Sequence, residues 1–257
     1  MFNRPRIIPV MLLDDRDLVK TRQFNNPTYL GDPVNAVKIF NLKGIDEMAI
    51  LDISATKRNV EPDYDLLEDI ASQAFMPLSY GGGIKTVEQA RKVLALGYEK
   101  IVLNTELVKN SQLVKDIVSF AGSQSVVASI DVKKNGSNYY CAIEDGLKLI
   151  DSDPLTLAKS AEELGCGEIF INSIDNDGMM NGYDIPLVKS IADTVKIPVT
   201  ACGGASGITD LKDVLVNGHA HAAAGGSMFV FYGKLKAVLI TMPSEKELVE
   251  AGVYSNK

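Results

Sequence analysis

The sequence predicts an α/β fold, a closed (β/α)₈ barrel of the TIM type with a two-fold repeat of half-barrels. The first reason is an internal repeat: residues 44–54 reappear as residues 165–175 after a shift of 121 positions, and the same shift carries Gly82 onto Gly203. The second is the alternation of eight short β-rich runs with amphipathic segments. The third is the length of 257 residues, since about 250 residues is typical of this barrel.

The predicted strands cover residues 7–12, 47–53, 77–80, 100–103, 125–131, 168–173, 198–201 and 220–225. Apolar residues at helical spacing predict helices over residues 36–42, 64–72, 86–96, 112–120, 154–164, 185–194 and 210–216, with an end helix over residues 244–251. No linker interrupts this order. We therefore expect one domain over residues 1–257, with half-barrels at about 1–122 and 123–240 followed by the C-terminal helix.

Two connections are longer than a barrel requires. They are residues 14–33 after the first strand and residues 132–153 after the fifth. Both follow the carboxyl ends of barrel strands, where TIM barrels place their active sites. Long connections with no secondary structure of their own are often lids or binding loops. The sequence therefore predicts two substrate-contacting loops at the mouth of the barrel.

Composition excludes several classes of partner. The chain carries 26 Lys and Arg against 33 Asp and Glu, a net charge of −7, so it has no basic footprint for nucleic acid or for an anionic membrane. Cys141, Cys166 and Cys202 are widely spaced and form no metal-ligand pattern, which suits a reducing compartment. No signal peptide and no apolar run near 18 residues is visible. These features predict a cytoplasmic protein.

Glycine clusters after the strands are the strongest local indication of a binding site in the sequence. Glycines after a strand leave backbone N–H groups uncovered, so a phosphate can approach them closely, and donors at the next helix N-terminus add to the attraction. Tight turns alone explain a single cluster, but the paired occurrence at the repeat spacing favours two anion sites. The first candidate phosphate site comprises Gly82, Gly83, Asn104 and Thr105, and the second comprises Gly203, Gly204, Gly226 and Ser227.

Seven segments resemble the cyclase subunit of imidazole glycerol phosphate synthase. They are residues 6–9, 31–33, 51–55, 81–84, 122–124, 173–178 and 182–184. The resemblance covers nearly the whole chain. It implies a barrel that receives ammonia from a glutaminase partner and converts a bis-phosphorylated ribulosyl intermediate into imidazole glycerol phosphate and an aminoimidazole carboxamide ribotide. It implies no cofactor and no metal.

The catalytic pair of that family is incomplete in this chain. The resemblance implies an Asp at the end of strand 5, which is Asp131, and an Asp at the end of strand 1, where this sequence has Leu12. Acid–base chemistry needs both protonation roles within hydrogen-bond reach of the reacting atoms, and leucine supplies neither. Asp177 and Asp52 lie on the catalytic face by strand position, so each is a candidate assistant to Asp131.

Other departures from the family pattern also cluster where the reaction takes place. Asp14 and Asp15 follow Leu12 but fall on the connection, Arg16-Asp17 replaces an expected Gly-Arg, and Asn176 and Met179 replace an Arg and a Thr. The resemblance still implies Lys20 as a residue of the loop after strand 1.

Charges at the opposite end of the barrel match the family's ammonia gate. Arg6, Glu47, Lys100 and Glu168 stand at the starts of strands 1, 2, 4 and 6. A single charge there is usually a solvated strand end, but buried ions are costly unless paired. Four charges of balanced sign at these positions therefore imply a gate and a docked glutaminase.

Two smaller signals point away from metal or thiol chemistry. His219 and His221 are spaced like a metal pair but have no third ligand in view. Cys202 ends strand 7 without a histidine partner nearby in sequence, so we expect it to fill space.

Three functions remain open at this point. The first is a paralogue of the cyclase, like the acetamidino-modification proteins, that channels ammonia to amidation of a surface-polysaccharide or flagellar sugar. An ATP-dependent amidotransferase would then be a second partner, and the bound molecule a phosphorylated or nucleotide sugar. The second is a true cyclase in histidine biosynthesis with a relocated acid. The third is a non-catalytic channel scaffold. Leu12 separates the first and third functions from the second.

Overall fold

The structure is a computed structural model that describes residues 4–233 and 235–255. In chain order the strands are β1 (Arg6–Asp14), β2 (Asp17–Arg22), β3 (Asn25–Gly31), β4 (Met48–Asp52), β5 (Leu78–Gly81), β6 (Lys100–Leu103), β7 (Val126–Asn135), β8 (Asn138–Ile143), β9 (Lys148–Leu149), β10 (Glu168–Ser173), β11 (Val199–Cys202), β12 (Ala222–Gly225), β13 (Phe231–Tyr232) and β14 (Ala237–Val238).

The helices are α1 (Pro33–Leu42), α2 (Ala55–Arg58), α3 (Tyr64–Ala71), α4 (Val87–Ala95), α5 (Thr105–Lys109), α6 (Ser111–Ala121), α7 (Pro154–Glu163), α8 (Ile185–Ala192), α9 (Ile208–Val216), α10 (Ser227–Val230) and α11 (Glu245–Glu250). A 3₁₀ turn covers Ser123–Ser125. No helix in the described ranges is both long and apolar enough to cross a bilayer.

Eight parallel strands close the barrel. The order is β1, β4, β5, β6, β7, β10, β11 and β12, with β12 pairing back onto β1. Helices follow the strands and cover the outside, as parallel strands require because each crossover must span the sheet. The predicted (β/α)₈ fold is confirmed.

The half-barrel repeat is also present in the structure. Helices α1 and α7, α3 and α8, and α4 and α9 occupy ranges offset by 121 residues, and so do β5 and β11. Even the caps repeat: Asp32 and Asp153 accept N–H bonds at the starts of α1 and α7, and Asp63 and Asp184 do so at α3 and α8. Such side-chain caps satisfy free N–H groups of the first turn. The repeated sequence therefore encodes repeated helix starts.

The two long connections are not irregular loops. Strand β1 continues into an antiparallel hairpin formed by β2 and β3, and β7 continues into an antiparallel extension formed by β8 and β9. The prediction of loops here was wrong because these strands pair locally with the outer ends of barrel strands. Neither hairpin carries the long apolar run of a barrel strand, so the sequence pattern did not reveal them.

Two apolar layers stabilise the barrel. The outer layer lies between strands and helices, and the lumen is filled by Ile8, Val10, Leu12, Val19, Ala49, Val102, Val127, Phe170, Cys202, Ala222 and Ala224. Side chains alternate along each strand, so consecutive residues supply the two layers in turn. The lumen between the two ends of the barrel is packed and mostly apolar, with Ser79, Ser129 and Thr200 among its buried polar side chains.

Candidate active site at the mouth of the barrel

One cavity at the carboxyl ends of the strands brings the predicted site residues together. It is lined by both candidate phosphate sites, by Asp52, Asp131 and Asp177, and by Lys20 of the first hairpin. The turn between β8 and β9 also reaches into it through Asp145. Both hairpins therefore contribute walls to the mouth, and their contact with a substrate stays a prediction.

Asp131 is a buried carboxyl group at the point where β7 leaves the barrel. Its residue is only 8% exposed. Burial raises the pKa of Asp131 to about 8, and the nearby charges of Asp145 and Asp177 add to the rise while Asn172 opposes it. A pKa near working pH is the property that a general acid or base needs. Asp131 is thus suited to exchange a proton at neutral pH.

Leu12 occupies the strand β1 position that faces this cavity. It pairs with Leu51 of β4 on one side and with Val19 of β2 on the other. Its side chain packs in the lumen layer and its residue is 8% exposed. The structure therefore places an apolar side chain, and no proton donor, at the position where the resemblance implies the first catalytic Asp.

Asp177 is held by the first hairpin. Lys20 Nζ donates to its Oδ1 at 2.9 Å and Thr21 Oγ1 donates to its Oδ2 at 2.8 Å. The backbone N–H of Gln23 also donates to the Asp177 carbonyl oxygen at 2.8 Å. Oδ1 is in a buried ion pair and Oδ2 accepts from a neutral hydroxyl, an arrangement that fixes the geometry of the carboxylate. Asp177 therefore ties the hairpin over the cavity.

Asp52 is partly committed to structure as well. Its Oδ1 accepts from Ser54 N, Ser54 Oγ and Ala55 N at 2.8 to 2.9 Å. Burial raises the pKa of Asp52, while these three bonds oppose the rise. An oxygen that accepts the first N–H groups of a helix acts as a cap, so Asp52 holds the start of α2. All three of these bonds go to Oδ1, so Asp52 Oδ2 takes no part in the cap.

Both glycine turns have two consecutive glycines with positive φ. Gly82 and Gly83 have φ of 132° and 68°, and Gly203 and Gly204 have φ of 91° and 108°. A Cβ atom added at Gly82 would stand 2.6 Å from the Asp52 carbonyl oxygen, and one at Gly203 would stand 2.6 Å from the equivalent oxygen of Ser173. Only glycine fits both the positive φ and this close approach. The turns leave backbone groups open to the cavity in both halves.

The second parts of the two candidate sites differ. Thr105 Oγ1 accepts from Glu144 N at 3.1 Å, so the β8–β9 turn lies against the first site. Ser227 Oγ is buried and makes no hydrogen bond. Lys20 lies over the second site, since a Cβ added at Gly226 would meet its Nζ at 3.1 Å. A free hydroxyl beside a buried cation favours an anion at the second site.

Several residues of the cavity were not predicted from the sequence. Asp145, Asn172 and Lys57 line it beside the predicted groups, and Lys57 Nζ lies 3.5 Å from Asp145 Oδ2. Burial raises the pKa of Asp145 to about 6, although Lys57 opposes the rise. Asp145 lies 14 residues beyond Asp131, on a turn whose position depends on hairpin pairing. The Glu-Asp-Gly turn pattern was the only available signal.

The four residues that the sequence predicts as a gate meet at the base of the barrel. Arg6 donates to Glu47 Oε2 at 2.6 Å and to Glu168 Oε1 at 2.8 Å, and Lys100 Nζ lies 2.7 Å from Glu47 Oε1 and 2.9 Å from Glu168 Oε2. Thr200 Oγ1 also donates to Glu168. Burial opposes ionisation of Glu168, yet Arg6 and Lys100 hold its pKa below the usual value. These four side chains form a closed charge ring across the lumen entrance.

The histidines have separate partners. His219 Nδ1 lies 2.6 Å from Asp193 Oδ1, whereas Val199 N donates to His221 Nδ1 at 3.1 Å. Across residues 4–233 and 235–255, no three His, Cys, Asp or Glu side chains group as metal ligands do. Burial raises the pKa of the Cys202 thiol to about 12, a state in which thiols are poor nucleophiles.

Comparison with known proteins gives consistent matches along the chain. The family described as histidine biosynthesis protein matches residues 6–236. A Pseudomonas aeruginosa protein named "Putative imidazole glycerol phosphate synthase subunit hisF2" is 48% identical over 246 residues, which cover 95% of this chain and 98% of the relative. A Vibrio vulnificus relative named "Putative imidazole glycerol phosphate synthase subunit hisF3" is 46% identical and covers 96% of each chain. The Pyrococcus furiosus "Imidazole glycerol phosphate synthase subunit HisF" is 40% identical and covers 89% of this chain and 90% of its own.

Proposed function

Because the chain belongs to the family of imidazole glycerol phosphate synthase cyclase subunits, we propose that it receives ammonia through its barrel from a glutaminase partner. The ammonia is channelled to amidation of a surface-polysaccharide or flagellar sugar, with formation of an acetamidino group. An ATP-dependent amidotransferase activates the sugar in this proposal. The cavity at the mouth takes a phosphorylated sugar or a nucleotide sugar.

The charge ring is the observation that carries the ammonia route. Its two cations and two carboxylates neutralise one another at the base, and the lumen above it is mostly apolar. A mostly apolar lumen admits neutral ammonia and disfavours ions, because burying an isolated charge is expensive. A ring of paired charges at the entrance can open by exchange of partners without leaving a bare buried ion.

Exposed apolar side chains at the base support a docked partner. Leu42 and Phe75 precede β4 and β5 and are 87% and 89% exposed. Asn41 Oδ1 accepts from Phe75 N at 3.0 Å, so the two segments lie side by side. Neighbouring exposed apolar groups at one face are typical of protein interfaces. We place the glutaminase on this face, where the ammonia it releases enters the ring.

Leu12 favours sugar amidation over cyclisation. The cyclase reaction asks for two positioned protonation groups, and the strand β1 position supplies an apolar side chain instead. Both glycine turns are retained, so a molecule with two phosphate groups still has two places to bind. The mouth keeps the two candidate anion sites and lacks the strand β1 Asp. This combination suits a protein that delivers ammonia to a sugar activated by the amidotransferase.

Asp131 favours a second candidate function, that of a true cyclase. Its pKa of about 8 suits proton exchange, as a true cyclase in histidine biosynthesis needs. A deletion strain separates the two functions. Loss of the gene should remove acetamidino groups from the surface glycan, measured by mass spectrometry, and leave growth without histidine intact. Histidine auxotrophy of the deletion strain would show that the chain is the cyclase.

The ammonia route is tested in the same strain. The wild-type gene should restore the acetamidino groups, and Lys100→Glu should fail to restore them at low external ammonium because it breaks the charge ring. Lys115→Glu, on the exposed face of α6, is the matched control and should restore them. Light scattering of the chain mixed with its cognate glutaminase should show a heterodimer. Absence of a complex, or full restoration by Lys100→Glu, contradicts the route.

A further inference from the structure

A short hairpin stands beside the mouth of the barrel, apart from the main sheet. Strands β13 and β14 pair with each other, and neither has a further strand partner in the described ranges. Leu239 N donates to Val230 O at 2.9 Å, and Thr241 N donates to Phe229 O at 2.8 Å, so the hairpin is attached to helix α10. Helix α10 begins at Ser227, which lines the cavity. The hairpin therefore follows the cavity wall directly.

The hairpin exposes apolar side chains that the barrel does not cover. Leu235 is 95% exposed and Tyr232 is 63% exposed, and Val238 and Leu239 are half-exposed. A two-stranded hairpin is only marginally stable by itself in water. Exposed apolar groups on strand edges that lack a neighbour are typical sites of association with another chain. We call these four side chains the hairpin patch.

Connections after the two neighbouring strands also expose apolar side chains. Strand β12, which leads to the hairpin, pairs with β1, and β1 pairs in turn with β4. The connection after β1 exposes Tyr29, and the connection after β4 exposes Val60. Adjacent parallel strands of a barrel bring their carboxyl ends to the same face. The hairpin patch is therefore part of an apolar arc along one side of the mouth.

The segment that carries the patch is basic, although the whole chain is acidic. The chain has a net charge of −7, yet residues 214–244 contain no Asp and no Glu. Lys234 and Lys236 fall between β13 and β14 in the chain. An apolar surface beside basic side chains complements a partner that presents apolar groups flanked by carboxylates.

Position and charge select one occupant of the patch. A glutaminase docked at the charge ring lies at the opposite end of the barrel and does not cover it. A two-fold dimer of this chain would use the same patch on both copies and bring lysines of equal charge together, which repel. Ammonia that escapes from the mouth into water becomes protonated and loses its nucleophilic lone pair. An enzyme that consumes the ammonia must therefore cover the mouth.

We infer that the hairpin patch is the docking surface for the ATP-dependent amidotransferase, which meets it with apolar side chains flanked by carboxylates. The inference rests on the proposed function, because it gives the amidotransferase its place on this chain. Docking at the mouth leaves the charge ring free for the glutaminase. The chain then lies between its two partners, with the lumen as the path from one to the other.

Binding of the full-length chain to its purified cognate amidotransferase, measured by biolayer interferometry, tests the surface. Leu235→Glu should weaken this binding at least about thirtyfold, the effect of losing a central interface residue. The same variant should keep its affinity for the glutaminase within about twofold, because the two surfaces are separate. Val216→Glu, at the exposed end of α9, is the matched control and should change neither affinity. Retained glutaminase binding and unchanged thermal unfolding show that both variants are folded.

The charge of the partner surface is tested at Lys236. Lys236 has φ of 50°, and Lys236→Asn keeps the turn because Asn tolerates the left-handed conformation. Loss of the positive charge should slow association with the amidotransferase about threefold at low ionic strength, because exposed charges act mainly on the encounter rate. An unchanged association rate would contradict a partner surface rich in carboxylates.

Three results would overturn the docking surface. They are no binding of the amidotransferase by the wild-type chain, a Leu235→Glu affinity equal to that of the wild type, and a dimer of the chain alone that Leu235→Glu dissociates in light scattering. The deletion strain separates this inference from the proposed function. Histidine auxotrophy contradicts the proposed function, whereas loss of acetamidino groups that the Leu235→Glu gene restores in full contradicts the docking surface alone.

Discussion

Buried carboxylates at the two ends of the barrel have pKa values shifted in opposite directions. At the base, Arg6 and Lys100 hold the pKa of Glu168 below its usual value in spite of burial. At the mouth, burial together with Asp145 and Asp177 raises the pKa of Asp131 to about 8. The difference is the partner, because an adjacent cation favours the ionised form and an adjacent carboxylate disfavours it. Burial alone therefore does not decide the charge of either end.

The two ends of the barrel also differ in whether their buried polar groups have partners. The charge ring satisfies its own members, with every ion paired within 3 Å of an opposite charge. The mouth leaves Asp145 Oδ2, Asn172 Oδ1 and Ser227 Oγ without hydrogen bonds. Unsatisfied buried groups carry a free-energy cost that a ligand can remove. We expect the base to act as a stable closure and the mouth to act as the binding region.

The largest expected effect comes from breaking the charge ring. Glu168→Ala leaves Arg6 and Lys100 sharing the single carboxylate of Glu47, and breaking a buried pair costs about 3–5 kcal/mol. Urea denaturation should show that loss in the free energy of unfolding. Asp63→Ala removes the partner of Arg16 in an exposed pair, but it also removes the cap of α3. Arg16→Ala is therefore the matched control, with an expected loss below about 1 kcal/mol. Equal losses of unfolding free energy in Glu168→Ala and Arg16→Ala would mean that the ring contributes no more to stability than an exposed pair.

The raised pKa of Asp131 predicts a pH dependence of stability at the mouth. Its native pKa of about 8 exceeds the unfolded value of about 3.9, so the native state binds more protons between these values. Stability from this group is therefore full below about pH 4 and falls as pH rises toward 8. Asp131→Asn should be more stable than the wild type at pH 8 by about 2–4 kcal/mol. Parallel stability curves for the two proteins from pH 5 to 8 would contradict the shift.

Substitutions of Leu12 test whether the mouth lacks a second group for proton transfer. Supplied with ammonium and the bis-phosphorylated ribulosyl intermediate, the wild-type chain should turn over at least about a hundredfold slower than an intact cyclase, since one protonation role is missing. Leu12→Asp should recover part of the rate, about tenfold. Leu12→Asn is the control, because the Asn side chain has the shape of Asp but no acidic proton. This variant should recover none of the rate. A fast wild-type rate would show that Asp14, Asp15 or Asp177 fills the role.

The smallest expected effect distinguishes the two candidate phosphate sites. Ser227 Oγ makes no hydrogen bond and is free to donate, whereas Thr105 Oγ1 accepts from Glu144 N and donates to Asn104 Oδ1 at 3.5 Å. Ser227→Ala should weaken phosphate binding about threefold, the effect of roughly one neutral hydrogen bond. Thr105→Ala should weaken it less. Calorimetric titration with inorganic phosphate measures both, and an equal or larger effect of Thr105→Ala would reverse the assignment.

The repeat and the local signals were sufficient to predict the barrel. A shift of 121 residues in the sequence reappears as the same shift in three helix pairs, because equal sequence in equal order folds into equal βα units. Glycine turns and strand-end carboxylates could be placed for the same reason, since parallel strands bring their carboxyl ends to one face. The places of both glycine turns, Asp131 and the four residues of the charge ring follow from their positions along the strands.

The sequence by itself determined which residues stand at the ends of the strands, and therefore which chemistry each end of the barrel carries. Tertiary structure decided which of them meet. Asp145 joins Asp131 only because the β8–β9 turn folds back over the cavity, held by Thr105 and Phe24. Asp177 is engaged because the first hairpin brings Lys20 to it. These contacts join residues 14 to 157 positions apart, and the pairing of hairpins that creates them leaves no periodic signal in the chain.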